Sequence, residues 1–415
     1  MTVFQKIRIW GIKGAVDYLR SKMQERGISK FFRQNARRYP YGNPQTGITV
    51  VGALSDRGSL NKTLRDFCFS LKDAGIPFQT WDLGSHAVPS EDVDPILTPV
   101  NEFQISRYTH LVEMIRSPVP DGIVRNRGRI VFWEFESGLL QGYPVLMERS
   151  GAVIGMSNFN FDYYSRVFSG KRKVSKILYP LRFSMDSCLP KQQARRKFGI
   201  PESAFVVFYN FSYKSGLDRK NPEGALRAFS KGLVRKKDAI MVLKTASSHE
   251  YPERVDRLLA LVQELGISEK VFFIDEYISQ QDVMSLTNAC DVYLSLHRAE
   301  GFGLGIAEAM SLGKAVVVTD YSSTTEFCNT TNSIPVGYDI VKMLHTDNKL
   351  YSAAEYWADP NIDEATEALE MLYNNPEKRI KLGKAAEISI RQQYSIENFS
   401  KSVMQYLSGK VTNNE

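Results

Sequence analysis

The chain has 415 residues, of which 43% are hydrophobic and 24% are charged, and its formal net charge is +7. This length predicts two or three domains with packed cores, and the composition excludes a disordered or fibrous protein. The four cysteines form no CxxC pair, which argues against a zinc site or a disulfide framework and favours a reducing cytoplasm. No apolar run is long enough for a membrane-spanning helix, and the first residues lack the apolar core of a signal peptide.

The positive charge is concentrated in residues 1–40, which contain ten Lys or Arg and two acidic residues. This segment therefore carries +8 and the rest of the chain about −1, a distribution that argues against a basic nucleic-acid-binding surface. Phe4, Ile7 and Trp10 begin an apolar stripe at roughly helical spacing. The stripe fits either contact with an anionic membrane surface or packing on the protein's own body. We interpret residues 1–46 as a basic helical extension and linker.

The first predicted domain, residues 47–190, opens with a strand, a helix and a second strand. Residues 48–52 are apolar and β-branched, residues 62–74 have a helical pattern, and residues 75–82 return to strand character. This βαβ order predicts a parallel sheet. The glycines between the first strand and the helix do not have GxGxxG spacing, which weakens a dinucleotide-binding interpretation.

A tryptophan flanked by acidic residues follows later in this domain, in the run Phe132-Trp133-Glu134-Phe135-Glu136. A ring face for stacking beside carboxylates for hydroxyl groups suits an acceptor sugar. The alternative is a core tryptophan with acidic residues on the surface. Trp133 and Glu134 are therefore candidates for the acceptor side of a site.

The second predicted domain, residues 191–391, begins with a strand and a group of cations. Lys214, Arg219 and Lys220 lie between the strand at 204–210 and the following helix. Cations at the N-terminus of a helix suit a diphosphate group, although a solvated run of charges has the same pattern.

Two further strand ends in this domain carry candidate ligand-binding residues. Lys244 ends one apolar strand, and Tyr277 and Ile278 follow the strand at 271–274. Because ligands bind at the carboxyl ends of parallel strands, Lys244 is expected to face the cleft and Tyr277 or Ile278 to line a nucleotide base.

The most informative stretch is 291–328, in which two strand-like runs enclose a glycine loop and a short helix. The glycines allow the backbone to approach a ligand, and the N-terminus of the helix suits a phosphate. Glu300 stands before the loop and Glu308 lies within the helix, so two carboxylates could bind the hydroxyls of one polyol. A sugar nucleotide offers this combination of groups. A common loop with solvated glutamates is the alternative.

The pattern Glu300-Gly-Phe-Gly-Leu-x-x-x-Glu308-Ala-Met resembles the signature of family 4 glycosyltransferases, which have the GT-B fold. The resemblance implies that Glu300 contacts the donor sugar and that Glu308 holds the ribose hydroxyls. It also implies that the sugar and diphosphate lie along the backbone of Gly301, Phe302, Gly303 and Leu304.

The same resemblance implies a diphosphate-binding role for Lys220, which is followed by an Ala228-Phe229 pair. Many relatives carry an arginine five residues before this lysine, where the present chain has Ser215. Either Arg219 or Lys214 is then expected to replace that arginine.

In the first domain the resemblance implies that the loop after the first strand faces the cleft and meets donor phosphate or acceptor. The candidates there are Gly52, Arg57, Gly58 and Asn61. Trp133 and Glu134 resemble a WE pair found in a subgroup of the family. Residues 392–415 are expected to form a helix that crosses back onto the first domain, and a tail.

The motifs and the resemblance together predict an α/β protein of the GT-B fold, with two Rossmann-like domains facing a central cleft. The resemblance implies transfer of a hexosyl group, with retention, from a UDP- or GDP-sugar donor to an acceptor hydroxyl, without a cofactor or an essential metal. A glycan or lipid-linked acceptor of bacterial cell-surface polysaccharide synthesis is expected, in the cytoplasm or on the inner face of the plasma membrane. The alternative is a catalytically impaired sugar-nucleotide-binding or scaffold protein on the same fold.

Overall fold

The structure is a computed structural model of the 415-residue chain. It describes residues 23, 26–27, 29–34, 44–56, 58–84, 96–97, 104–105, 107–114, 119, 126–139, 147, 150–169, 173–182, 188–344, 346–348, 351–352 and 354–409.

The first domain contains a parallel six-stranded sheet in the order β2-β1-β3-β4-β5-β6. Its strands are β1 (Gln45–Gly52), β2 (Phe78–Asp82), β3 (Tyr108–Met114), β4 (Asn126–Ile130), β5 (Ala152–Gly155) and β6 (Lys173–Lys176). Helices α1 (Ser59–Asp73) and α2 (Asn158–Val167) follow β1 and β5. Six of the eight β1 residues are buried, as expected for a strand covered on both faces.

The second domain contains another parallel six-stranded sheet, in the order β12-β11-β10-β7-β8-β9. Its strands are β7 (Phe205–Asn210), β8 (Ala239–Thr245), β9 (Val271–Asp275), β10 (Val292–Ser295), β11 (Ala315–Thr319) and β12 (Ile334–Val336). Its helices are α3 (Lys191–Lys197), α4 (Leu217–Lys220), α5 (Pro222–Leu233), α6 (Pro252–Glu264), α7 (Gln280–Ala289), α8 (Leu304–Ser311), α9 (Ile362–Asn374) and α10 (Pro376–Gln393). The predicted pair of strands around the glycine loop is β10 and β11, which are hydrogen-bonded neighbours.

Two elements complete the structure around these sheets. An antiparallel hairpin of β13 (Tyr338–Lys342) and β14 (Tyr356–Pro360) follows β12. The last helix, α11 (Ile396–Leu407), packs on α1 of the first domain, where the rings of Phe67 and Phe399 are 5.6 Å apart. The C-terminal helix α11 therefore packs on the first domain, although it follows the second domain in the sequence.

Part of the basic extension packs on the first sheet. Residues 29–34 are helical, and the rings of Phe31 and Phe32 lie 3.9 and 4.5 Å from the ring of Trp81. Phe4, Ile7 and Trp10 of the predicted apolar stripe lie outside the described residues, so membrane contact stays a prediction. Within the described ranges, no helix combines the length and apolar character needed to cross a membrane.

Candidate active site

The glycine loop between β10 and α8 is held in one conformation by close packing. Gly303 precedes α8 with φ of 92°, and a Cβ at this position would lie 2.6 Å from Cγ2 of Thr324. A Cβ at Gly305 would lie 2.4 Å from the hydroxyl oxygen of Tyr293. Both positions therefore require glycine, and the loop brings the backbone to the N-terminus of α8.

Glu300 is buried at the start of this loop, where it is paired with two cations. Its carboxylate pairs with Lys220, and its Oε2 lies 3.5 Å from Nη1 of Arg219. Burial favours the neutral acid, but Lys220 and Arg219 outweigh it and lower the pKa of Glu300 to about 2. The backbone N–H of Glu300 donates to Oγ of Ser322 at 2.9 Å, and Oγ of Ser323 donates to its carbonyl at 2.7 Å. A charged carboxylate is thus fixed beside two cations.

Arg219 and Lys220 differ in what holds them. Arg219 is 4% exposed, donates from Nη1 to the carbonyl of Ala299 at 2.8 Å, and lies 5.3 Å from the ring centre of Tyr351. Burial lowers the pKa of Lys220, while Glu300 opposes this effect. The side chain of Lys214 is exposed. The structure therefore places Arg219, rather than Lys214, next to Lys220 and Glu300.

Glu308 lies in α8 and is 5% exposed. Nε2 of Gln280 donates to its Oε1 at 2.9 Å, and Nζ of Lys62, from α1 of the first domain, lies 3.6 Å from the same atom. Lys62 also pairs with Asp66 in its own helix. Burial raises the pKa of Glu308. The carboxylate predicted to hold ribose hydroxyls therefore lies where the two domains meet.

An aromatic stack joins the glycine loop to the first domain. The rings of Phe302 and Tyr179 are 3.8 Å apart and tilted by only 7°, and the hydroxyl of Tyr179 lies 2.8 Å from Oγ1 of Thr63. Oγ of Ser157 donates to the carbonyl of Gly301 at 3.4 Å. The loop therefore contacts segments that follow two different strands of the first sheet.

Lys244 lies at the carboxyl edge of the second sheet, as predicted, but its ammonium group is bound to backbone. It donates to the carbonyls of Thr245 at 3.0 Å and Glu276 at 2.8 Å. Burial lowers the pKa of Lys244 to about 8. Tyr277 is 46% exposed, and Ile278 is partly buried against the core. Lys244 therefore braces the loop that carries Tyr277 and Ile278.

The first-domain candidates near α1 have mainly structural environments. A Cβ at Gly52 would lie 2.1 Å from Cδ1 of Leu64, so Gly52 lets α1 approach β1. Gly58 precedes α1 with φ of 123°, and Asn61 is partly buried in its first turn. Arg57 lies outside the described residues.

The side chains of Trp133 and Glu134 lie in different environments. Trp133 is 1% exposed, its Nε1 donates to the carbonyl of Ser137 at 3.1 Å, and its ring packs 5.4 Å from that of Phe135. The expected ring face for an acceptor sugar is therefore buried, and the core alternative describes this residue. Oε1 of Glu134 lies 3.8 Å from Nη2 of Arg219, and burial raises the pKa of Glu134.

The residues of the site that were not predicted from the sequence include Lys62, Tyr179 and His297. His297 is fully buried behind the loop, where its ring nitrogens lie 3.2 Å from Oγ of Ser295 and 3.3 Å from the carbonyl of Tyr321. Burial lowers the pKa of His297 to about 4, so its ring is neutral at pH 7. Of these residues, only His297 could have been suspected from the sequence, because it lies between β10 and the glycine motif. Lys62 and Tyr179 lie in no motif. The described part of the chain contains no group of three or more His, Cys, Asp or Glu side chains arranged to hold a metal ion.

Residues 190–388 match the family model described as "Glycosyl transferases group 1". The serotype-specific mannosyltransferase WbdA of Escherichia coli is 30% identical over 140 residues, which are 32% of this chain and 16% of the relative. Mannosylfructose-phosphate synthase of Agrobacterium fabrum is 24% identical over 187 residues, which are 43% of this chain and 40% of the relative. The matches therefore span less than half the length of these curated relatives.

Solved structures resemble nearly the whole chain. Sucrose-phosphate synthase from Thermosynechococcus elongatus has a TM-score of 0.62 at 14% identity, over 88% of this chain and 99% of that one. Anabaena Alr3699/HepE, in complex with UDP and glucose, has a TM-score of 0.59 at 14% identity, over 88% and 100%. Identities this low establish the fold alone. The predicted fold class is therefore confirmed: the chain has the GT-B fold, and residues 190–388 match the group 1 glycosyl transferase model.

Proposed function

We propose that the protein is a glycosyltransferase that moves a hexosyl group, with retention, from a UDP- or GDP-sugar to an acceptor hydroxyl. The observation that carries this proposal is the buried cluster of Glu300, Lys220 and Arg219 at one end of the glycine loop, with Glu308 eight residues further on. The group 1 model match covers all four residues. The mannosyltransferase relative and the UDP and glucose bound to HepE support a sugar-nucleotide donor.

The cations supply the charge that the departing nucleoside diphosphate needs. Lys220 and Arg219 lie within one buried cluster, where water screens their charge poorly. Fixed cations that face a developing negative charge stabilise the transition state, commonly by a factor of about 100 to 1,000 for each donor. In this proposal they act together with the N-terminus of α8, and the reaction needs no essential metal.

The two glutamates have separate roles in the donor site. Glu300 is a charged acceptor of hydrogen bonds from the hydroxyls of the transferred sugar, and its low pKa keeps it charged. Glu308 accepts hydrogen bonds from the ribose hydroxyls, with Gln280 fixing one of its oxygens. We assign no protein nucleophile. The acceptor hydroxyl attacks the face that the leaving phosphate occupies, and that phosphate takes the proton.

The acceptor we propose is a glycan or a lipid-linked glycan of bacterial cell-surface polysaccharide synthesis, used in the cytoplasm or on the inner face of the membrane. The basic segment 1–40 supports a membrane-associated acceptor because anionic lipids attract clustered Lys and Arg. Vesicles with 30% anionic lipid should bind the full chain and release a variant that lacks residues 1–40. Equal binding of both would contradict membrane contact through this segment.

The activity is tested by nucleotide release from UDP-glucose, UDP-N-acetylglucosamine and GDP-mannose, with neutral disaccharides as acceptors. Wild type should release nucleotide from one of these donors, and Glu300→Gln should be at least about 100-fold slower. The matched control is Glu367→Gln, which changes an exposed carboxylate in α9 in the same way and should keep the wild-type rate. Nucleotide binding without release from any donor would instead favour the sugar-nucleotide-binding or scaffold protein.

A further inference from the structure

A surface pocket lies on the first-domain side of the domain junction, outside the donor cluster. It is lined by Glu136, Phe159, Asp162, Ser165 and Arg166. The carboxylates and the guanidinium belong to exposed residues, whereas the ring of Phe159 is partly buried. Four of the five residues belong to α2, and Glu136 belongs to the segment that follows β4. None of them takes part in the roles assigned to the donor site.

The pocket is connected to the donor cluster through the segment 133–136. Trp133 and Phe135 are buried in the core, while Glu134 and Glu136, which alternate with them, are more exposed. Glu134 lies 3.8 Å from Arg219, and Glu136, two residues further along the same segment, lines the pocket.

Aromatic side chains of the second domain lie next to Phe159, one of the lining residues. The ring of Tyr321 lies 6.4 Å from that of Phe159, and the ring of Tyr338 lies 5.2 Å from that of Tyr321. Tyr338 is 39% exposed. Tyr321 immediately precedes Ser322, which accepts the backbone N–H of Glu300. One short segment of the second domain therefore contacts both Glu300 and the pocket residue Phe159.

The chemistry of the lining favours a neutral sugar. Aromatic rings pack against the apolar faces of a sugar ring, and carboxylates, a hydroxyl and a guanidinium bind its hydroxyls from the sides. Glu136 and Asp162 give the pocket two negative charges against the one positive charge of Arg166. This excess of negative charge repels a phosphate group, so a sugar phosphate fits the pocket less well than an uncharged glycan.

We propose that this pocket binds a neutral sugar unit of the acceptor glycan, next to the unit whose hydroxyl is glycosylated. The inference rests on the proposed glycosyltransferase function and extends it by assigning the acceptor glycan a binding pocket. The acceptor therefore has at least two sugar units, and its reacting unit lies beside Glu134. The donor does not touch the pocket.

The test is saturation-transfer NMR of the full chain with α1,2-mannobiose, α1,3-mannobiose, maltose and chitobiose, and with fructose 6-phosphate as a charged probe. At least one neutral disaccharide should bind wild type, and more strongly than the phosphate. Phe159→Ala and the double variant Glu136→Gln/Asp162→Asn should each weaken that binding at least tenfold. The matched control is Glu253→Gln/Asp256→Asn, which makes the same charge change at two exposed positions of α6.

Two results would overturn the proposal: no neutral disaccharide binds wild type, or the pocket variants and the control variant bind the disaccharide equally. Binding of UDP and GDP, and donor turnover, are measured on the same samples. Retained nucleotide binding shows that the pocket variants are folded. If wild type turns over a donor but the disaccharides do not bind, the pocket proposal alone fails. If wild type turns over no donor, the proposed function fails, and the pocket proposal, which rests on it, fails as well.

Discussion

The two sides of the cleft are built in different ways. On the second-domain side, the ionisable groups come from two short segments, Arg219–Lys220 and Glu300–Glu308, and the loop between them is fixed by glycine packing and serine hydrogen bonds. On the first-domain side, Lys62, Glu134 and Tyr179 come from three separate segments that the sheet topology brings together. The second-domain side is therefore encoded by short stretches of sequence, whereas the first-domain side depends on the tertiary structure.

This difference indicates a division of labour. The second-domain groups are buried and paired with one another, so a change there should act on donor chemistry. The first-domain groups reach the loop across the junction, so a change there should act mainly on how the domains meet and on the acceptor.

The largest effect is expected for Lys220→Met, which removes the cation paired with Glu300. The turnover number should fall about 100- to 1,000-fold, because a fixed charge that faces the leaving diphosphate is lost. Steady-state kinetics with the preferred donor would measure it. Lys384→Met, at an exposed position of α10, is the control, and equal rates for the two variants would contradict the role of Lys220.

The stack of Tyr179 on Phe302 should contribute to stability across the domain junction. Tyr179→Ala should lower the free energy of unfolding by about 3 kcal/mol, since truncation of a buried aromatic ring leaves a cavity. Tyr179→Phe keeps the ring and loses the contact with Thr63, so it should lower that free energy by about 1 kcal/mol. Urea titration measures both values. A change for Tyr179→Ala no larger than that for Tyr356→Ala, an exposed tyrosine, would exclude this contribution.

The two cations that could replace the arginine of the family pattern should differ in effect. Arg219→Met should lower the turnover number about 100-fold, because Arg219 is buried beside Glu300. Lys214→Met should lower it less than Arg219→Met, because the side chain of Lys214 is exposed. The same kinetic assay compares them. A larger effect for Lys214 would move the second diphosphate cation to the loop before α4.

The smallest effect concerns Glu326, whose Oε1 accepts the N–H of Phe159 at the N-terminus of α2 and so links the domains. Burial raises the pKa of Glu326 from 4.5 to about 7. Between these pH values the folded chain holds a proton that the unfolded chain has released, so this group's contribution to stability falls as pH rises. Glu326→Gln should remove that dependence. Its contribution to the slope of the unfolding free energy against pH is at most about 1.4 kcal/mol per pH unit.

Chemical unfolding of wild type and Glu326→Gln at intervals between pH 4.5 and 8.5 would show the difference. The curves should converge in slope above pH 7.5, where the carboxyl group has lost its proton in both states. Identical slopes across the whole range would mean that Glu326 titrates at the same pH in the folded and unfolded chains.

The sequence allowed the second-domain side of the site to be placed with some precision, because its signals are local. The two strands, the glycines and the helix ended by Gly313, which has φ of 67°, follow from neighbouring residues alone. Glu300, before the loop, and Glu308, within the helix, could be placed for the same reason. What the sequence left open was the cation beside Lys220, because exposure distinguishes Arg219 from Lys214 and exposure is a tertiary property.

The first-domain side was predicted less well for the same physical reason. Trp133 has the composition of a sugar-stacking residue, but the alternation of Trp133 and Phe135 turns both rings into the core. Lys62 sits next to the predicted Asn61, and only the meeting of the two domains brings it to Glu308. Tyr179 follows a short edge strand in no motif, so its contact with Phe302 depends wholly on the approach of the two domains.

The central claim is that Glu308 and the loop before it bind the nucleotide of a sugar donor. Isothermal titration calorimetry of UDP and GDP with wild type, Glu308→Gln and Glu367→Gln tests it most directly. One nucleotide should bind wild type and Glu367→Gln equally, and its dissociation constant should rise at least tenfold, about 1.4 kcal/mol, for Glu308→Gln. Equal binding by all three proteins, or binding of neither nucleotide to wild type, would contradict the account.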